Sequence, residues 1–363
     1  MQRTIVPAAI FTGSSWLQEH AVVVENGVVR ALVPAGETTS DAEHYPAAIL
    51  APAFIDAQVY GAAGKLLASY PEASTLQVME RAYRNQGTCR FQPTVATNTL
   101  EVFRACIDAV RAYRSLGGTA VHGLHLEGPW INPRRRGAHL EHLIRVPGRD
   151  EVGDLLEYGR GVISMITLAP EVCTDDILEL ILSYGIVISA GHSDATFDQA
   201  MHAFEQGVAA VTHLFNAMSP FHHRAPGLTG AALAHQRIHA SIIPDGHHVD
   251  YHAISIAQKV LEDRLFAITD AVTESHTGPY RHQREDGKFV FDGTLSGSAI
   301  SMADALYNLV HRAGVPREAA MNMCSLYPAR VLGIDKTYGK IAPGYQGQFI
   351  LLDKQLKLEE VLF

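Results

Sequence analysis

The sequence predicts an α/β protein: a (β/α)8, TIM-like barrel over residues 49–334, with a small β-sandwich domain built from residues 1–48 together with residues 335–363. Three observations predict it. The middle of the chain alternates eight short, apolar, β-branched runs with amphipathic stretches, the pattern of parallel strands joined by right-handed helical crossovers. No Gly-x-Gly-x-x-Gly loop follows the first run. Asp56-Ala57-Gln58-Val59-Tyr60-Gly61 stands there instead, which favours a closed barrel over an open nucleotide-binding sheet. Both ends of the chain share a β-rich texture that the middle lacks.

The elements follow in order. Thr4-Ile5-Val6, Ala8 to Phe11, Ala21 to Val24 and Val28 to Val33 read as short strands. Asn26-Gly27 between the last two is a hairpin signal, because both residues tolerate the positive φ of a two-residue turn. Barrel strands are expected at Ile49–Ile55, Arg90–Val95, Ala120–Leu126, Val162–Leu168, Val187–Ala190, Ala209–Thr212, His239–Ile243 and Leu265–Thr269. Helical spacing of apolar residues marks Thr75–Asn85, Leu100–Ser115, Asp175–Tyr184, Thr196–Glu205 and Ala253–Glu262. A further helix is expected from Ala299 to His311, with Ser296 or Ser298 as its N-cap. Gly339 to Gly344 and Gln348 to Asp353 return to the texture of the N-terminus.

Composition narrows the function. With 47% hydrophobic and 18% charged residues, the 363-residue chain requires a sizeable packed core and excludes disorder. Its 29 basic against 38 acidic residues, a formal charge of −9, exclude a general nucleic-acid binder. No apolar run is long enough for a membrane span, and the start of the chain carries no signal pattern, so a cytoplasmic protein is expected. Cys89, Cys106, Cys173 and Cys324 are scattered without CxxC spacing and read as reduced, mostly buried thiols.

Polar chemistry gathers where strands end. Glu127 closes the run from Thr119 to Leu126 in His125-Leu126-Glu127-Gly128-Pro129, where a carboxylate is costly to hide unless something positive holds it. His192 in Ser189-Ala190-Gly191-His192-Ser193 and His213 in Thr212-His213-Leu214-Phe215-Asn216 end two successive strands. Among 19 histidines, either one alone would read as structural. In a barrel, however, strand C-termini converge on one cavity. The three together therefore point to ligands of one divalent metal with an open coordination position. Asp270 ends the last strand, either as a cap for the next turn or as a general base. Asn216-Ala217-Met218, Arg224 and Pro244-Asp245-Gly246-His247-His248 suit either an anionic ligand or ordinary solvated loops. Arg134-Arg135-Arg136 reads as a solvated loop edge, and no Ser or Cys nucleophile motif is present.

With these motifs in this order, the chain resembles the N-acetylglucosamine-6-phosphate deacetylases of the amidohydrolase superfamily. The resemblance runs from Ala9-Ile10-Phe11-Thr12-Gly13 through Gly137-Ala138-His139, Pro226-Gly227-Leu228 and Asp245-Gly246-His247-His248 to Gly293-Thr294-Leu295-Ser296-Gly297-Ser298. It implies metal-dependent hydrolysis of the acetamide of a small amino-sugar phosphate. Glu127, His192 and His213 match the family's metal ligands, Asp270 its catalytic acid/base, and His139 a residue that meets the acetyl carbonyl. Ala138, Asn216, Ala217, Arg224, His248, Leu295, Ser296 and Gly297 match substrate-binding positions, some of them reaching across a homodimer interface. Many relatives carry His-x-His after the first strand. Gln58-Val59-Tyr60 stands here, and Gln and Tyr are poor ligands for a transition metal. One divalent ion per subunit is implied, zinc by expectation and Fe2+ or another divalent ion as the alternative. N-acetylgalactosamine 6-phosphate is the alternative substrate, and a non-catalytic scaffold the alternative of another class.

Overall fold

The computed structural model describes residues 2–363. Eight parallel strands stand side by side in chain order: β1 (Phe54–Val59), β2 (Thr88–Ala96), β3 (Leu124–Glu127), β4 (Ile163–Leu168), β5 (Val187–Ala190), β6 (Ala210–Val211), β7 (His239–Ile242) and β8 (Leu265–Ala267). The ring closes just beyond the last residues of β8. Val59 bridges Ala271 in parallel, the Asp270 N–H donates to the Gln58 carbonyl at 3.0 Å, and the Tyr60 N–H donates to Ala271 at 2.9 Å. A side chain reinforces this seam. Asp56 accepts hydrogen bonds from the Thr269 backbone N–H at 3.2 Å and the Thr269 hydroxyl at 2.5 Å.

The helices cover the ring because their apolar residues fall on one face. Leu100–Ser115 buries Phe103, Cys106, Ile107, Val110 and Tyr113 at helical spacing. Its first turn is closed by Thr99, whose hydroxyl accepts the Val102 N–H. Phe197–Glu205 starts with a full capping box between Thr196 and Gln199. Strands covered on one side by helices and on the other by the barrel interior are buried on both faces, and polar side chains such as Asp56, Gln92, His125, Thr167 and Ser189 are buried among the apolar ones.

Strands from both termini form a separate seven-stranded sheet. Its order is Leu358–Leu362, Phe349–Leu352, Glu43–Pro52, Gln2–Phe11, His20–Glu25 and Val28–Pro34, with Trp16–Gln18 added to Gln2–Phe11. Val29 on one edge and Leu362 on the other share a cluster with Ile5, Val22, Leu50 and Phe349, so the sheet curls over a core of its own. Asn26 and Gly27 adopt φ of 52° and 79°, the two-residue turn expected there.

Two expectations change. The run Ile49–Ile55 is divided: Glu43–Pro52 belongs to the terminal sheet and Phe54–Val59 opens the barrel. Both segments are buried, so hydrophobicity alone does not mark the handover. Thr294–Ser298 is a strand, paired in an antiparallel three-stranded sheet with Lys288–Phe291 and through it with Gln283–Glu285. The following helix is Met302–His311, and its N-cap is Ser301, in a capping box with Asp304. Neither Ser296 nor Ser298 caps it. Ser298 instead donates its hydroxyl to the Thr269 carbonyl.

Candidate metal centre and active site

Glu127 is the last residue of β3. His192 and His213 lie two residues beyond β5 and β6, and Asp270 three beyond β8. The last three are all in the left-handed region, with φ of 48°, 35° and 54°. A non-glycine residue there costs about 1–2 kcal/mol and persists only when its surroundings hold it. Here the sharp departure from the strand brings the side chains to the barrel mouth.

The three expected ligands meet. Glu127 Oε1 is 3.3 Å from His192 Nε2 and 3.1 Å from His213 Nε2, and the two Nε2 atoms are 3.2 Å apart. Proton positions decide what this means. His192 Nδ1 lies 2.9 Å from the Arg135 carbonyl, which only accepts, so Nδ1 carries the proton and Nε2 presents a lone pair. Burial pushes His192 down to about 4, which keeps the ring neutral. A bare imidazole nitrogen facing a carboxylate oxygen repels it unless a cation lies between them. Bonds of about 2.0–2.2 Å at tetrahedral angles separate ligand atoms by roughly 3.3–3.6 Å, close to the spacing observed. The donor set fits one divalent ion.

His139 also comes within reach, since its ligand atom lies within 4.8 Å of those of Glu127 and His192. Its Nδ1, however, accepts the Thr97 N–H at 3.3 Å, which leaves the ring proton on Nε2, 3.1 Å from Glu127 Oε2. A protonated nitrogen donates a hydrogen bond and does not ligate. Gln58 Nε2 donates to Glu127 Oε1 at 3.0 Å, and the Tyr60 hydroxyl donates to Oε2. These two residues hold the carboxylate from the end of β1. Burial opposes the charge on Glu127. The hydrogen bond from His139 leads what outweighs it, so its carboxyl stays well below the usual carboxylate range.

The amidohydrolase family matches residues 49–363, and the NagA composite domain matches residues 5–45. The chain belongs to the amidohydrolase family. An N-acetylgalactosamine-6-phosphate deacetylase of Escherichia coli O157:H7 is 32% identical over 97% of this chain and 95% of its own. An N-acetylglucosamine-6-phosphate deacetylase of Haemophilus influenzae is 30% identical over 95% and 93%. The crystal structure of N-acetylglucosamine-6-phosphate deacetylase from Pasteurella multocida superposes with a TM-score of 0.95 at 31% identity, covering 100% of this chain and 98% of that one. Among the described residues, no helix is long and apolar enough to cross a membrane.

In this amidohydrolase a cavity of about 250 Å³ opens over the four groups. Ala138, His139, Asn216, Ala217, His248, Leu295, Ser296 and Gly297 line it with Glu127, His192, His213 and Asp270. Burial first, and then the charge of Glu127, push the Asp270 carboxyl up to about 6, and its Oδ1 is buried without a hydrogen-bond partner. Gly297 is where the wall meets Asp270. A Cβ there would lie 2.9 Å from the Asp270 carbonyl and 2.6 Å from Val272. Arg224 does not reach the cavity of its own chain; it sits on the exposed loop after β6.

Sequence reasoning missed several supports in this amidohydrolase. Thr97 sets the His139 proton, and no local pattern pointed to it. Asp245 accepts from His248 Nδ1 at 2.6 Å and from the His247 and His248 N–H groups at 2.8 Å, a role visible only as an acid three residues before the histidine. Leu66, Ala96, Val272 and Tyr280 form an apolar wall, and His282 stands beside it with Nδ1 2.9 Å from the Ser296 hydroxyl.

Proposed function

We propose that this enzyme hydrolyses the acetamide of N-acetylglucosamine 6-phosphate to glucosamine 6-phosphate and acetate. One observation carries the reading: the buried, unpartnered Asp270 carboxylate shares a cavity with the convergent Glu127, His192 and His213 donor set. A divalent ion held by those three, zinc by the mixture of two nitrogens and one oxygen, supplies Lewis-acid activation of water and of the carbonyl when bound.

The residues do the rest. Asp270 takes a proton from water as its oxygen attacks the acetamide carbon. His139 donates its Nε2–H to the carbonyl oxygen as negative charge grows there. Asp270 then returns the proton to the departing nitrogen and the C–N bond breaks; the new carboxyl gives up its remaining proton to the amine, so acetate and the protonated amine leave. A carboxyl near 6 suits both transfers around neutral pH. Asn216, Ala217 and His248 would hold the phosphate, with Asp245 fixing the His248 ring. Arg224, exposed and outside its own cavity, would serve the cavity of a second subunit in a homodimer.

N-acetylgalactosamine 6-phosphate is the second reading, favoured by the name of the Escherichia coli O157:H7 relative. Acetate release by metal-loaded enzyme on both sugar phosphates, compared as kcat/KM, separates the two. Higher kcat/KM on the galacto epimer would overturn the first reading, and no acetate from either would overturn both.

A further inference from the structure

β4 is the odd strand of the barrel mouth. Every other strand end or its loop lines the cavity, whereas the end of β4 contributes no lining residue. Its loop nevertheless carries Glu171, on the short turn Pro170–Val172, and that carboxylate is saturated with donors from two neighbouring loops. Oε1 accepts Asn132 Nδ2 at 2.9 Å and the Asp194 N–H at 2.6 Å, and Oε2 accepts the Ser193 hydroxyl at 2.6 Å. We propose that Glu171 is a positioning residue that holds His192 in its ligating pose by stitching the loop after β3 to the loop after β5.

Every thread of the stitch ends at His192. The Asn132 N–H donates to the His192 carbonyl at 2.8 Å. The Arg135 carbonyl fixes His192 Nδ1, and Arg135 Nε pairs with Asp194 Oδ1 at 2.8 Å. Glu171 binds the side chain of Asn132 on one loop, and the Ser193 hydroxyl and Asp194 N–H on the other. The left-handed backbone at His192 needs such support, because a strained residue relaxes when its neighbours let go. Three donors on one carboxylate are charge-assisted, and a neutral replacement loses that strength along with one acceptor. Groups behind a metal ligand typically change metal affinity or activity by about 10–100-fold when removed.

The inference rests on Glu127, His192 and His213 holding the metal, and its test keeps the two apart. The full chain is stripped of metal, and zinc affinity is measured by chelator competition, with the cobalt(II) visible spectrum as a second readout. For Glu171→Gln we expect zinc binding weakened by about tenfold or more and a perturbed cobalt spectrum, with the melting temperature of the metal-free protein little changed. Asn132→Asp keeps the size of the side chain but sets carboxylate against carboxylate. It should give the same loss, and it decides the matter if Glu171→Gln does not fold. Zinc affinity within twofold of wild type in a folded variant overturns the proposal. So does an affinity loss that appears only alongside an equal loss of metal-free stability. Wild-type protein that binds no zinc overturns the metal-centre reading beneath it.

Discussion

Glu127 is buried with five side chains around it: Gln58, Tyr60, His139, His192 and His213. Two of the five present bare nitrogens in the metal-bound arrangement, so the carboxylate charge is needed to hold a cation. Glu127→Gln should remove it and cost most of the zinc stoichiometry, measured by metal analysis after dialysis. Full stoichiometry in that variant would contradict the donor set. Asp270→Asn should behave oppositely. Metal content should remain, because Asp270 is not in the donor set, while kcat falls by about 10²–10⁴ as proton transfer is lost. A near-wild-type rate would remove Asp270 from the chemistry. These residues were legible in the sequence because each ends an apolar run, and a barrel converts strand ends into neighbours. Thr97, Glu171 and His282 were not, because a hydrogen-bond partner across loops leaves no period or spacing behind.

At the scale of elements, strands and helices were legible wherever burial or amphipathicity set a period. β5 runs over Val187–Ala190 and the helix after β2 over Leu100–Ser115, both as expected. Legibility failed where two buried segments abut, at Ala53 between the terminal sheet and β1, and where polar residues form a small sheet beside the cavity. The start of Met302–His311 shows the cost of reading one residue at a time. Three serines precede the helix, but only Ser301 has an acid at the third helical position to complete the box, with Ser301 Oγ 3.1 Å from the Asp304 N–H. Ser301→Ala should therefore destabilise the protein by about 1 kcal/mol. Ser296 caps nothing and faces His282 on the cavity wall. Urea unfolding of Ser301→Ala checks the loss, and an unchanged stability would refute this assignment of the cap.

For the whole molecule, buried titratable groups make the stability of the metal-free protein depend on pH in two opposing ways. Burial pushes His122, His125, His192 and His282 down to about 4, so between pH 4 and about 6.5 the unfolded chain binds protons that the folded chain refuses. Stability from these groups falls as pH drops through that window. Asp56 runs the other way. Burial outweighs its hydrogen bonds from Thr269 and Gln58 and pushes its carboxyl from the ordinary 3.8 up to about 7. Between those values the folded chain keeps a proton that the unfolded chain has lost. Its contribution is therefore complete below 3.8 and is lost as pH rises through 7, by an amount of at most roughly 4 kcal/mol. Asp270, pushed up to about 6, acts in the same sense over a narrower range. The four histidines outnumber the two acids, so wild-type stability should climb from pH 4 towards 6.5. The Asp56 share then has to be read as a difference. Asparagine at 56 keeps an oxygen for the backbone N–H groups of Thr269 and Gln58 and never charges. The advantage of Asp56→Asn over wild type should therefore widen from pH 4 to about 7 and level off above it. Urea unfolding of chelator-treated protein at steps of pH measures that difference, and one that stays flat from pH 4 to 8 would mean that Asp56 keeps an ordinary carboxylate range inside the barrel.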